Sequence, residues 1–177
     1  MPLGKVLLSA EQIASRVGEL GLRIRRDYED QPLTIVAILQ GAIVFLGELL
    51  KHLGAGVTVE LIEASSYGTA TASGGQVTLR RYGRLDVRDR DVLLVDDIAD
   101  TGRTLAAVAR QLEAMGARSV RTCVLLDKPS RREVDVELSY RGFEIDDVFV
   151  VGFGLDHAGR YRTLPYIACL DEPARKE

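Results

Sequence analysis

The fold is decided by one stretch of sequence, Val92-Leu93-Leu94-Val95-Asp96-Asp97-Ile98-Ala99-Asp100-Thr101-Gly102-Arg103-Thr104. Its first four residues are apolar and lie between two aspartates, which predicts a short strand over 92–95 that is buried on both faces of a parallel sheet. The residues after Thr104 keep apolar side chains at helical spacing. The stretch therefore predicts a strand, a glycine-containing turn and a helix in direct succession.

The turn between this strand and this helix has the composition of a phosphate-binding loop. A turn that opens a helix presents unpaired backbone N–H groups and the positive end of the helix dipole, and the hydroxyls of Thr101 and Thr104 add donors. Asp96, Asp97 and Asp100 lie at the carboxyl end of the strand, where ligands bind in open α/β sheets. The alternative is that these residues are ordinary helix N-caps, but a cap needs only one such residue and this turn carries several.

Length and composition limit the class of protein. The chain has 177 residues, of which 46% are hydrophobic, and this predicts one globular domain over residues 1–177. The net charge of −3 argues against a dedicated nucleic-acid binder. No apolar run is long enough for a membrane helix or a signal peptide, so we expect a cytoplasmic protein without a membrane partner. Cys123 and Cys169 stand apart in apolar surroundings, which predicts buried thiols.

The rest of the chain alternates strands and helices and predicts an α/β fold. A strand over 34–39, a helix over 43–53 and a strand over 57–62 form a β-α-β unit, which predicts a parallel sheet. Residues 77–82 are expected to form an edge strand paired antiparallel with its neighbour. Further extended segments are expected at 120–126, 134–138, 149–154 and 164–170.

Residues 64–76 form an uncharged segment that contains three glycines. Such a segment cannot bury enough apolar surface to order itself. Two interpretations stay open, a flexible connector and a mobile loop that closes over an active site.

The stretch from Val92 to Thr104 resembles the phosphoribosyl-pyrophosphate (PRPP) signature of the type I phosphoribosyltransferases. That signature has four apolar residues, two acids, two further residues, Asp-Thr-Gly and a nearby Thr. Other segments resemble the hypoxanthine-guanine branch of the family, and the likeness covers most of the chain. These segments are 39–41, 66–67, 125–132, 142–146, 149–156 and 160–162. The resemblance implies a mainly parallel sheet flanked by helices, with a small hood and a mobile lid loop at about 65–76.

The resemblance also implies a reaction and a set of residues that carry it. The 5-phosphoribosyl group of PRPP would pass to hypoxanthine or guanine, giving IMP or GMP and pyrophosphate in purine salvage. Asp100 would be the general base at purine N7. Asp96 and Asp97 would face the ribose hydroxyls and bound Mg²⁺, with unequal roles if they lie on a strand. The loop that holds the 5′-phosphate would consist of Asp96, Asp97, Ile98, Ala99, Asp100, Thr101, Gly102, Arg103 and Thr104.

The implied purine and pyrophosphate sites lie elsewhere in the sequence. Lys128 would donate to the 6-oxo group of the purine, Phe149 would stack on the base, and Val150 would offer backbone groups. Taken without the resemblance, Lys128 is typical of a solvated basic turn and Phe149 of a core residue. Asp156 would ligate Mg²⁺ near the purine. The pyrophosphate would be held by Gln40, Gly41 and Arg162.

Three positions depart from the common family pattern. Gln40 replaces the usual Lys or Arg, Asp96 replaces the usual Glu, and His157 replaces the usual Tyr. The peptide bond Leu39–Gln40 is expected to be cis, as in relatives, and Ser66 and Tyr67 are expected to begin the lid.

Two other hypotheses compete with the hypothesis of an enzyme that acts on 6-oxopurines. One is an RNA-binding regulator with the same fold, which the acidic balance of the chain argues against. The other is an enzyme for adenine or a pyrimidine, which conflicts with Lys128. Use of xanthine stays open, and relatives form homodimers or homotetramers.

Overall fold

The computed structural model describes residues 3–29, 31–66, 77–82 and 85–170. In chain order its elements are β1 (Leu3–Leu8), α1 (Ala10–Tyr28), β2 (Leu33–Leu39), α2 (Ile43–Leu50), β3 (Val57–Ser66), β4 (Val77–Arg81), β5 (Asp91–Ala99), α3 (Arg103–Ala114), β6 (Ser119–Asp127), a 3₁₀ turn (Pro129–Arg131), β7 (Tyr140–Glu144), β8 (Val150–Val151) and β9 (Ile167–Leu170). None of the helices described here is long and apolar enough to cross a membrane.

The strands form two sheets. The larger has the order β4-β3-β2-β5-β6-β7, and all its neighbours run parallel except β4, which pairs antiparallel with β3 at the edge as predicted. The chain leaves β2 toward β3 on one side and leaves β5 toward β6 on the other. The gap between β2 and β5 is therefore the point where a ligand crevice opens in this class of sheet.

The smaller sheet has the order β1-β9-β8 and is antiparallel. It is the small hood that the resemblance implied. Strand β1 was not predicted, because the alternation along its six residues is weak; two of its apolar residues, Leu3 and Val6, are exposed.

Alternate residues of the central strands belong to separate cores. Ile35 of β2 and Leu93 of β5 pack with α1 and α2, whereas Val36 and Leu94 pack with α3. Successive side chains of a strand point to opposite faces, so the sheet is covered on both sides. Burial on both faces of the sheet explains why residues 92–95 are all apolar, as predicted.

Strand β5 is longer than predicted, since it continues through Asp96 and Asp97 to Ala99. Its pairing with β2 stops at Val95, whereas its pairing with β6 continues to Ala99. The prediction that the strand ends at residue 95 is wrong, because hydrogen bonds from β6 alone keep the acidic part extended. The side of β5 that faced β2 is left open at this point.

Other boundaries also differ from the predictions. Helix α2 ends at Leu50 and not at residue 53, although Leu53 is still buried. Strand β3 continues to Ser66, where it pairs with β4, so the predicted loop cannot begin at residue 64 or 65. Residues 134–138 form no strand. The rest of the predicted lid, including Tyr67, lies outside the described residues.

Candidate functional site

A cavity of about 370 Å³ lies at the carboxyl ends of β2 and β5. It occupies the point where the two strands stop pairing. Most of the predicted phosphate-loop residues line it, together with the end of β2. The lining residues are Ile38, Leu39, Gly41, Ala64, Asp96, Asp97, Ile98, Ala99, Asp100, Thr101, Gly102, Thr104 and Leu105. Arg103 is the exception among the predicted set, and its guanidinium pairs with Glu133 at 2.5 Å.

The loop from Asp100 to Thr104 can receive an anion. Gly102 has φ +81°, and the first intrahelical bond of α3 runs from the N–H of Ala106 to the Gly102 carbonyl. The N–H groups before Ala106 therefore lack intrahelical acceptors. The Arg103 N–H reaches only the Thr101 hydroxyl, at 3.4 Å. The cavity thus has backbone donors and a helix N-terminus on one side, which suits a phosphate.

The two adjacent acids of β5 share the other side of the cavity. Asp96 is buried, and its Oδ1 accepts the N–H of Asp97 at 3.0 Å. Burial, and next the charge of Asp97, raise the pKa of Asp96 well above its usual value. Burial likewise raises the pKa of Asp97. Two adjacent carboxylates with raised pKa values, one buried and one half-buried, bind a proton or a cation readily, so the pair suits a divalent cation with oxygen ligands.

Asp156 is separate from that pair. Its carboxylate accepts from Arg162 at 2.8 Å and from the N–H of Gly159 at 2.7 Å. Within residues 3–29, 31–66, 77–82 and 85–170, no three acidic, His or Cys side chains are close enough to hold one metal ion. The structure therefore brings together two of the three predicted metal ligands, and the role of Asp156 stays a prediction.

The end of β2 and the hood meet beside the acid pair. The Leu39–Gln40 peptide is cis, as predicted. A Cβ on Gly41 would lie 1.8 Å from Asp97 Oδ2, and a Cβ on Gly154 would lie 2.2 Å from the Gly41 carbonyl oxygen. Glycine at these positions lets the Gly41 backbone approach both the Asp97 carboxylate and the Gly154 backbone. The backbone at Gly41 thus forms the wall of the cavity next to the acids.

Arg162 connects two predicted site residues, Gln40 and Asp156, with the backbone of Gly154. Its guanidinium donates to the Gly154 carbonyl at 2.6 Å and to Gln40 Oε1 at 3.4 Å, and it pairs with Asp156. Its charge also lowers the pKa of Asp97, against the larger effect of burial. A cation and a glycine backbone therefore lie together, as a pyrophosphate group would require.

Asp100 lies at the rim, between the phosphate loop and a cluster of charged side chains. Its Oδ1 accepts from Arg131 at 3.2 Å, and Arg131 is also 3.7 Å from Asp147. Lys128 is 3.8 Å from the same Asp147 oxygen. This Lys128–Asp147–Arg131–Asp100 chain was not predicted, because it joins three loops that are distant in sequence.

The predicted purine-side residues differ in exposure. Lys128 is only 7% exposed, so it is not the solvated basic residue of the alternative interpretation. Phe149 is 54% exposed, so it is not a core residue. Its ring makes a T-shaped contact with the His157 ring, and the two ring centroids are 5.5 Å apart. Val150 begins β8 and is buried. The two side chains that the resemblance assigns to the purine are therefore an exposed ring and a shielded ammonium group.

Comparisons with known proteins agree with this geometry. Residues 5–158 match the family model described as a phosphoribosyl transferase domain. The chain is 40% identical over 166 residues to the hypoxanthine-guanine phosphoribosyltransferase of Bacillus subtilis, covering 94% of this chain and 92% of that relative. It is 42% identical over 172 residues to the enzyme of the same name from Mycobacterium tuberculosis H37Rv, covering 94% and 85%.

A solved structure of an enzyme with the same name has the same fold. The hypoxanthine-guanine phosphoribosyltransferase of Bacillus anthracis, crystallised with HEPES in its active site, superimposes with a TM-score of 0.90 at 39% identity. The match covers 96% of this chain and 100% of that one.

Proposed function

The chain belongs to the phosphoribosyl transferase family and has its type I fold, and from this premise we propose that it converts hypoxanthine or guanine and PRPP to IMP or GMP and pyrophosphate. One observation carries the proposal. The phosphate loop, the acid pair and the glycine wall line one cavity at the switch point of the sheet. The relatives that match this chain over 94% of its length carry the name hypoxanthine-guanine phosphoribosyltransferase.

The 5′-phosphate of PRPP would bind at the start of α3. The free N–H groups of the loop and the hydroxyls of Thr101 and Thr104 supply neutral donors, and the helix dipole supplies positive potential. The ribose would then extend toward Asp96 and Asp97, whose carboxylates accept hydrogen bonds from its hydroxyls. This order places the anomeric carbon of the ribose between the loop and the Gly41 wall.

The Asp96–Asp97 pair fits Mg²⁺, since a buried and a half-buried carboxylate lie beside one another in the cavity. When bound, Mg²⁺ would neutralise the acids and the negative charge of the pyrophosphate group. The raised pKa of each acid indicates that ionising both carboxyl groups is unfavourable unless a cation neutralises them.

Asp100 would take the proton from purine N7. A carboxylate at the rim can accept that proton as the bond from the purine nitrogen to the ribose C1 forms and the bond from C1 to pyrophosphate breaks. Arg131 pairs with this carboxylate at 3.2 Å and holds it at the rim of the cavity.

Lys128 and Phe149 would select and hold the base. The Lys128 ammonium group can donate to a 6-oxo oxygen but cannot accept from a 6-amino group, so adenine should be rejected. Phe149 offers an exposed ring for stacking, and the His157 ring packs against it in a T-shaped contact. The departing pyrophosphate would meet Arg162 and the backbone at Gly41.

The direct test is product formation with PRPP and Mg²⁺ and four bases: hypoxanthine, guanine, xanthine and adenine. We expect IMP from hypoxanthine and GMP from guanine, and no AMP from adenine. Use of xanthine is not fixed by the described contacts. A folded protein that forms neither IMP nor GMP would overturn the proposal, and AMP as the main product would overturn the role of Lys128.

The assembly and the location of the enzyme complete the proposal. We expect a homodimer or a homotetramer in the cytoplasm, where the free thiols of Cys123 and Cys169 stay reduced. Light scattering on the purified protein tests the first expectation, and a monomer at micromolar concentration would refute it. Cys123 is buried as predicted, whereas Cys169 is only partly buried.

A further inference from the structure

Arg132 lies directly behind the phosphate loop and outside the cavity that the substrates would fill. Its Nη1 donates to the Asp100 carbonyl oxygen at 2.7 Å, and its Nη2 donates to Asp127. The side chain of Arg132 is only 19% exposed. An arginine that bridges a loop carbonyl and a carboxylate has little freedom to move, so the contact restrains the backbone of Asp100.

Asp127 anchors this bridge in the protein interior. It is the last residue of β6, its side chain is 4% exposed, and its second oxygen accepts from Arg141 at 3.0 Å. A buried carboxylate without a partner is strongly unfavourable, so Asp127 holds both arginines in place. The position of Arg132 is therefore set by a central strand and not by a flexible surface.

The backbone beyond Arg132 holds the same loop at a second point. The Thr101 carbonyl accepts the N–H of Glu133 at 3.0 Å and the N–H of Val134 at 3.1 Å. A Cβ on Gly102 would lie 2.6 Å from the Val134 carbonyl oxygen and 3.0 Å from Arg132 Cδ. The segment 132–134 thus packs against the rear of the loop, and only glycine fits between them.

We propose that Arg132, held by Asp127, is a positioning residue that fixes the phosphate loop and the backbone of Asp100 for catalysis. This inference rests on the proposed function and adds a residue to it that touches no substrate. Donors that are fixed before the ligand arrives lose little entropy on binding, and a base that is displaced by about 1 Å loses much of its effect.

Three variants test the inference: Arg132→Gln, Arg132→Lys and the control Arg110→Gln. Arg110 is exposed on α3, and its Nε donates to the Ala106 carbonyl of the same helix at 3.2 Å. For Arg132→Gln we expect the KM for PRPP to rise about tenfold and kcat to fall about tenfold, while the KM for hypoxanthine changes less than about twofold. Arg132→Lys keeps the charge and should recover part of both losses.

Amide hydrogen exchange separates positioning from a merely structural role. Arg132→Gln should speed exchange in the peptide that covers Asp100–Thr104 at a temperature where the protein remains folded, and Arg110→Gln should not. Unchanged exchange and unchanged kinetics in Arg132→Gln would overturn the inference, as would a lower melting temperature with normal kcat and KM. If the wild-type protein forms no nucleotide, the proposed function fails, and the exchange data still decide the positioning role.

Discussion

At the scale of single residues, the acid pair shows why a functional carboxylate can oppose stability. Burial raises the pKa of Asp96, with a further contribution from the charge of Asp97. Because the pKa in the folded protein exceeds that in the unfolded chain, the folded state loses stability as pH rises above the unfolded value. In the proposed function, the ligand and the cation that bind to the two carboxylates would offset this cost.

Asp96→Asn should therefore stabilise the free protein. With a chelator present at pH 7, we expect the melting temperature to rise by about 2–4 °C for each kcal/mol of relieved ionisation cost. Asn keeps an oxygen for the Asp97 N–H, so the fold is preserved. The gain should shrink at pH 4, where Asp96 is already protonated, and PRPP binding with Mg²⁺ should be lost. Calorimetry at both pH values checks this, and a lower melting temperature at pH 7 would contradict it.

Gln40 is the second residue for which we predict the effect of a substitution. It replaces the Lys or Arg common in relatives, and its Oε1 accepts from Arg162 at 3.4 Å. Gln40→Lys should lower the KM for PRPP about tenfold, because a charge-assisted contact to pyrophosphate is gained. Gln40→Met is the matched control for side-chain length. Equal PRPP affinity of all three proteins at low salt would show that only the backbone at this position matters.

At the scale of secondary-structure elements, the candidate site lies where β2 and β5 stop pairing. Sequence patterns predicted the β5–loop–α3 unit, the βαβ order and the antiparallel edge strand, because apolar runs and helical spacing are local signals. They did not predict that β5 continues to Ala99, because that extension depends on pairing with β6 alone. The contacts of Arg131 and Arg132 were also missed, since they join segments about 30 residues apart.

The loop between β5 and α3 depends on one glycine. Gly102 has φ +81°, and an added Cβ would clash with the Val134 carbonyl. Gly102→Ala should raise the KM for PRPP at least about tenfold and lower the free energy of unfolding by about 1–3 kcal/mol. Gly47→Ala is the control, because Gly47 lies in α2 with no atom within 4 Å of an added Cβ. That variant should keep activity and gain slight stability, and a Gly102→Ala enzyme with normal PRPP binding would refute the loop geometry.

At the scale of the whole molecule, the two cores share the strands of one sheet. Neighbouring residues of β2 and β5 contribute to opposite cores, so neither core can form while the other is absent. We expect one cooperative unfolding transition, with equal calorimetric and van't Hoff enthalpies, as for a single domain. Two separate transitions would contradict the single-domain prediction. The chain has no Trp, so near-UV circular dichroism of its six tyrosines is the second probe.

The most direct measurement of the central claim is the turnover of Asp100→Asn. In the proposed mechanism Asp100 is the base, and PRPP is held by other groups at the end of β5 and the start of α3. Asp100→Asn should therefore bind PRPP normally. Its kcat for IMP formation should fall about 10²–10⁴-fold. Asp135→Asn, at an exposed position outside the cavity, should match the wild type. Full turnover of Asp100→Asn would contradict the account.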